Sequence, residues 1–175
     1  KTVSSKGGVQ TKPFEIKVDE YDENRHFFLG HYFYDNYDKF MESLPTVTSG
    51  IEISKIEVWV TNKRGNYDQS RNIVAFTDLG ENESRNIGNT ALVMPSGTDR
   101  RPNNSANNLY TTLTTQFTDA RKINMVNDAL KGAMESGKDF QEIESARLLE
   151  SSEYTLNKKL GYISLRTQLQ ADEVL

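Results

Sequence analysis

Four carboxylates within five positions, Asp19, Glu20, Asp22 and Glu23, form the densest set of hard oxygen ligands in the chain, and calcium is the ion they would hold. They lack the alternating Asp/Asn spacing, the central glycine and the distal glutamate of a calcium-binding loop between helices, so a solvated acidic turn is the simpler reading. His26 and His31 are the two histidines. Five residues apart, they fall on opposite faces of a strand or about 140° apart around a helix, and cannot chelate one ion together. The chain has no cysteine, which excludes thiolate metal sites, disulfides and thiol nucleophiles. It contains no phosphate-binding glycine loop, no nucleophile elbow and no metalloprotease helix motif. The expected catalytic, cofactor-binding and metal-ligating residues are therefore none, and the expected protein is not an enzyme and uses no cofactor.

Two further groups carry chemistry by residue type. Trp59, Tyr67 and Phe76, if a hairpin brought them together, would form a platform on which a sugar ring could stack. Aromatics on strands also serve to pack against neighbours, and that use competes with the first. Asn82-Glu83-Ser84 and Asn103-Asn104-Ser105 match the glycosylation acceptor pattern, which an asparagine-rich chain supplies readily by chance.

The elements that must position these residues come from a chain of 175 residues with 21 basic and 25 acidic side chains, a formal charge of −4. That length suits one domain, and the mild acidity with no Lys/Arg block argues against nucleic acid as a partner. Exchanging the 8 tyrosines for the 11 glycines in the 35% apolar fraction gives about 37%, below the roughly 45–50% usual for a globular chain, so the core is a modest one. A mean hydropathy of −0.68, with no apolar run near ~18 residues, excludes a membrane-spanning helix.

Residues 1–12 read as a flexible lead-in and 13–175 as a single soluble domain, a fragment of a larger protein. Phe14, Ile16 and Val18 alternate as in a half-buried strand. HFFLGHYF reads as a second strand with Phe27, Leu29 and Phe33 on one face, and Tyr37, Phe40, Met41 and Leu44 as a short helix capped by Asp35 and stopped by Pro45. IEISKIEVWVTN is the strongest strand pattern, with a slip between Ile53 and Ile56 that a bulge would explain. Residues 56–79 read as a long-looped hairpin with Trp59 at least half buried, and 81–108 as a long loop, mobile or held by contacts outside the fragment. Leu109, Leu113 and Phe117 have helical spacing that Ile123, Val126, Ala129, Leu130 and Ala133 continue, with Asp119 placed to cap a second helix and Gly137 as a stop. DFQEIESARLL fits helix or strand. YTLN and GYISL make a hairpin, and DEVL opens a further strand expected beside GYISL, cut short at Leu175 and leaving an edge prone to self-association. The sum is an α+β, β-rich, sandwich-like sheet with two or three helices.

Three blocks, TKPFEIKVDEYDENRHFFLGHYFYDNYDKFMESLP, KIEVWVTNKRGNYDQSRNIVAFTDLGE and SEYTLNKKLGYISLRTQLQADEVL, lie at 11–45, 55–81 and 152–175, between Thr11 and Leu175. Their order and length resemble an internal segment of the SprA/Sov family, the giant outer-membrane translocon of the Bacteroidetes type IX secretion system, also described as a gliding-motility or cell-surface protein. The resemblance implies a parent that forms a large outer-membrane β-barrel in the cell envelope, with the rest of that barrel, accessory secretion subunits or secreted cargo as partners. The candidate strands here are broken by charged residues and do not keep the uninterrupted lipid-facing register of a barrel strand, so the segment reads as an insertion that does not itself span the membrane. A carbohydrate-binding or adhesive β-sandwich at the cell surface is the rival reading, and a hydrolase a third. Protein purified without added ions is expected to carry no stoichiometric transition metal, which elemental analysis checks directly.

Overall fold

The computed structural model describes residue 13, residues 15–65 and residues 67–175. The expected lead-in over 1–12 and the Phe14 position of the first expected strand lie outside the described residues. In chain order the elements are β1 (His26–Phe28), α1 (His31–Asp35), α2 (Tyr37–Met41), β2 (Trp59–Val60), β3 (Ser70–Phe76), α3 (Leu109–Gln116), α4 (Val126–Leu130), β4 (Phe140–Leu148), β5 (Tyr154–Asn157) and β6 (Tyr162–Leu165). The strands form two three-stranded antiparallel sheets, ordered β1-β6-β5 and β2-β4-β3. The fold is thus α+β, as expected, with four helices of five to eight residues among the described residues rather than two or three.

The second sheet departs most from expectation. β2 and β3 do not pair as a hairpin; β4 lies between them, with Arg147 opposite Val60 on one side and Ser70 on the other. β4 is the DFQEIESARLL stretch whose pattern suited helix and strand equally. Its buried residues Phe140, Ile143, Ala146 and Leu149 are spaced by three rather than two. Phe140 and Leu149 lie on one face and Ile143 and Ala146 on the other, and a bulge keeps each pair together: the register moves from Arg71–Ala146 to Ile73–Ile143, so Glu144 and Ser145 together stand opposite Asn72. Ser145 adopts a positive φ of 52°, and its N–H donates to Asn72 Oδ1 at 2.9 Å. Each burial face is restored after the extra residue.

Between the sheets lies an apolar cluster of Val58, Val60, Leu149, Ile163 and Leu165, with Phe27, Ile56, Tyr154 and Leu156 packed against it. Ile51 and Ile53 instead pack against a separate cluster of Phe33, Phe40 and Leu160. The slip between Ile53 and Ile56 is therefore a hand-over from one cluster to the other along an extended segment, of which only Trp59–Val60 joins a ladder. Trp59 is mostly buried, as expected, with the Arg71 guanidinium 5.6 Å from its ring centroid.

A third cluster unites Ile87, Val93, Leu109, Leu113, Ala120, Val126, Leu130 and Phe140. The helical period seen from Leu109 to Leu130 was thus a true core signal, but the backbone breaks at Phe117 into a 3-10 turn over Thr118–Arg121 before α4 begins. Gly132, at φ 80°, follows the Lys131 C-cap of α4, so the helix stops at Leu130, seven residues before Gly137, and Asp119 sits in the 3-10 turn paired with Lys122 rather than capping. Ile87 and Val93 tie the 81–108 loop into this same cluster. Within the chain two apolar anchors and an isolated Pro95–Asn107 bridge hold it, more burial than its composition suggests.

At the amino-terminal side, the expected strand through Ile16 and Val18 is absent: residues 15–17 are irregular, Val18–Glu20 is a 3-10 turn, and Val18 is 94% exposed. The expected second strand holds only for residues 26–28, after which the chain turns into α1 and buries Phe33. α2 runs from Tyr37 to Met41, with Asn36 rather than Asp35 at its N-cap. The β5–β6 hairpin forms as expected. The edge of β6 that DEVL was expected to extend is occupied by β1, and the final segment instead exchanges hydrogen bonds between Val174 and Thr61. The unpaired edge expected there does not exist.

Gly161 closes the β5–β6 turn at φ 65°, and a Cβ at that position would lie inside the buried Phe33 ring. Gly161→Ala is expected to destabilise the protein by about 1–3 kcal/mol through overpacking, with further cost from the left-handed backbone. Chemical denaturation checks this; Gly65→Ala, where nothing lies within 4 Å of the added Cβ, gives the backbone contribution alone at φ 70°.

Candidate functional site

Alternation along the first sheet sends Phe27, Ile163, Leu165, Tyr154 and Leu156 into the core, so His26, Phe28, Tyr162, Ser164 and Thr155 share the opposite face. Phe28 stands opposite Tyr162, with ring centroids 6.1 Å apart. The turn at Gly30 folds α1 and α2 back over this face, and Tyr34 and Tyr37 each meet Phe28 edge to face at 5.5 Å. Phe28 is 40% exposed and Tyr34 65%. Tyr37 and Tyr162 also pack against the Phe33, Phe40 and Leu160 cluster, so the exposed part of this aromatic group is Phe28 and Tyr34.

The backbone beside them is open as well. Leu165 N–H donates to Arg25 O and Leu29 N–H to Gly161 O. Those pairs put the β6-facing hydrogen bonds at residues 25, 27 and 29, so the N–H and C=O groups of His26 and Phe28 point away from the sheet. β1 is an edge strand, and such an edge can accept another extended chain.

Next to the rings, His26 Nδ1 lies 2.7 Å from Ser164 Oγ and Nε2 lies 3.3 Å from Asp22 Oδ2. A carboxylate only accepts, so in this contact Nε2 carries the proton and Nδ1 accepts the serine hydroxyl. The order matches that of an acyl-transfer triad. An oxyanion hole is also required, and the residue alternation of the β5–β6 ladder directs the Ser164 N–H to Thr155, where it cannot serve. The His26–Ser164 contact joins β1 to β6.

Other candidates are dispersed. Asp22 pairs with Arg25 at 3.0 Å, and Glu20 Oε2 accepts the Lys17 N–H at 3.0 Å. Among the described residues no group of three or more His, Asp or Glu side chains is arranged to hold a metal ion. Trp59, Tyr67 and Phe76 do not form a platform: Phe76 packs on Phe140 at 5.9 Å in the core, Tyr67 is exposed, and Trp59 is engaged by Arg71. Asn82 is 3% exposed and donates to Asp99 O, which puts its amide out of reach of a glycosylating enzyme in the folded state, whereas Asn103 is on the surface.

Two carboxyls have environments that shift them. Glu81, 7% exposed, lines the cleft between the end of β1 and the end of β3, and burial raises its pKa above the usual carboxylate value, with the His31 N–H pulling the other way. Glu153 sits between Arg147, 2.7 Å from Oε2, and Arg64, 3.1 Å from Oε1, and the Arg147 hydrogen bond holds its pKa low. This pair links β4 to the segment leading into β5, and hence one sheet to the other.

No protein-family model matches the chain, and no curated protein matches it.

The two shifts have opposite linkage. Glu153, lowered on folding, stabilises the protein above the ordinary glutamate range and loses that contribution as pH falls through its lowered value; Glu81, raised, favours the fold when protonated and loses that contribution as pH rises through its raised value. Glu153→Gln is expected to cost about 1–3 kcal/mol at neutral pH and to flatten the acid limb of the stability profile. Glu81→Gln is expected to gain stability relative to the native protein as pH rises toward neutrality. Melts across the acid-to-neutral range test both signs.

Proposed function

We propose that the chain is a non-catalytic, protein-contacting part of an outer-membrane secretion translocon of the SprA/Sov type, working in the cell envelope of a type IX secretion system. The observation that carries the protein-contacting part is the conjunction of exposed rings at Phe28 and Tyr34 with the open backbone edge of β1. Such a surface gives a partner both main-chain hydrogen bonds and aromatic area to cover. The setting is supported by the resemblance of the three sequence blocks. Its partners are then the parent barrel, accessory secretion subunits or passing cargo.

The same exposed rings, flanked by the polar His26 and Ser164, favour a second reading, a carbohydrate-binding or adhesive domain at the cell surface. The two readings separate in one pair of experiments. With a photo-crosslinking phenylalanine analogue at position 28 of the full-length protein in its own cells, a covalent protein adduct is expected that is missing when the analogue stands at Lys159. Equal yields at both positions, together with glycan-array binding that Tyr34→Ala abolishes, would establish the carbohydrate reading instead.

A further inference from the structure

We propose that the cleft between the end of β1 and the end of β3 binds the ammonium group of a lysine side chain carried by an extended segment of a partner protein. The inference rests on the reading of the chain as protein-contacting, and it names the chemistry of that partner. The cleft is lined by Phe28, Tyr34, Phe76, Leu79 and Glu81, among others. Three rings, an aliphatic side chain and the His31 ring thus line the cleft together with one buried carboxylate.

No described lysine or arginine pairs with that carboxylate, and the base that faces it is the His31 ring, which also lines the cleft. Glu81 Oε1 accepts the His31 N–H at 3.3 Å, and no other described group donates to it. The nearby Arg85 is taken by Asp35 at 2.8 Å, and the nearby Asp78 is a second carboxylate, satisfied by the N–H groups of Gly88 and Asn89. Removing a carboxylate from water without a charged partner is costly, and a cation entering the cleft would recover that cost. The rings add to the attraction, since a cation within about 6 Å of an aromatic face is drawn to it.

The geometry selects among cations. A guanidinium binds best through two parallel hydrogen bonds to both carboxylate oxygens, and at Oε1 it would share the oxygen with the His31 N–H. A quaternary ammonium has no proton to give to Oε2. A primary ammonium is a compact point charge that needs a single oxygen, and its slender methylene stem suits the apolar walls. The cleft adjoins the open edge of β1, and Phe28 belongs to both. A segment that pairs with the outward N–H and C=O groups of His26 and Phe28 would therefore reach the cleft with a side chain from its neighbouring positions.

Fluorescence polarisation with labelled Val-Thr-Lys-Thr-Val peptides, with norleucine or arginine in place of lysine, tests this on the unaltered protein. The lysine peptide is expected to bind at least about 10-fold more tightly than the norleucine peptide, a difference of about 1.4 kcal/mol, and more tightly than the arginine peptide. Glu81→Gln, whose folding a thermal melt verifies, is expected to bring the lysine peptide down to the norleucine level. Equal affinity for lysine and norleucine, or an undiminished lysine preference in Glu81→Gln, would overturn the ammonium site while leaving the docking edge intact. Failure of every peptide to bind at millimolar concentration would overturn the inference altogether, and the cross-linking at position 28 decides the broader reading separately.

Discussion

The bulge at Glu144–Ser145 is the constraint on which the remaining structure depends. Phe140 and Leu149 are separated by an odd number of positions, which would put them on opposite faces of a regular strand, yet Phe140 joins the helical cluster at one end of the stretch and Leu149 the inter-sheet cluster at the other. The extra residue brings the two back to one face, beside Phe76 and Val74 at one end and Val60 and Val58 at the other, and increases local twist. Asn72 compensates by accepting the Ser145 N–H, so the interruption leaves that donor satisfied. With β4 in place, β2 and β3 become its two flanks, and the long excursion from Thr77 to Asp139 returns to the strand it left: Thr77 N–H donates to Asp139 O at 3.1 Å.

The inter-sheet cluster then determines what is left exposed. Phe27, Ile163 and Leu165 are drawn inward, and strict alternation obliges His26, Phe28 and Tyr162 to face outward. The aromatic surface is in this sense the other side of the core. α1 and α2 cover part of it through Tyr37, while Phe33 and Phe40 anchor those helices against the β5–β6 turn. The close approach at Gly161 is what lets the Phe33 ring reach that turn.

Local elements were legible where a single face and a single partner governed the pattern. The 154–165 hairpin and α3 followed from alternation and helical spacing. Pairing across long separations was not. Nothing in HFF announces that it closes the sheet beside YIS, some 135 residues away, and the strong alternation around Trp59 concealed that its partner was β4 rather than β3. DFQEIESARLL was ambiguous for a physical reason: a bulged strand that buries Phe140 and Leu149 on one face and Ile143 and Ala146 on the other spaces its apolar residues by three and imitates a helix. The 81–108 loop misled by composition, because Ile87 and Val93 suffice to anchor a segment otherwise rich in Asn, Ser and Gly. Of the candidate site, the sequence offered only the density of aromatics in HFFLGHYF. The burial of Glu81 follows from tertiary placement, and no local pattern announces it.

Native-state hydrogen exchange resolved by residue tests the central role of β4 most directly. If the bulged strand is the spine that joins the clusters, the amides of Ala146, Leu148 and Leu149 open only with the whole molecule, with a free energy equal to that of global unfolding and shared by the β3 amides that pair with them. Exchange of these amides at a lower free energy than those of the β5–β6 hairpin, or rapid exchange at Leu149 despite its 2.8 Å hydrogen bond to Val58 O, would contradict the account.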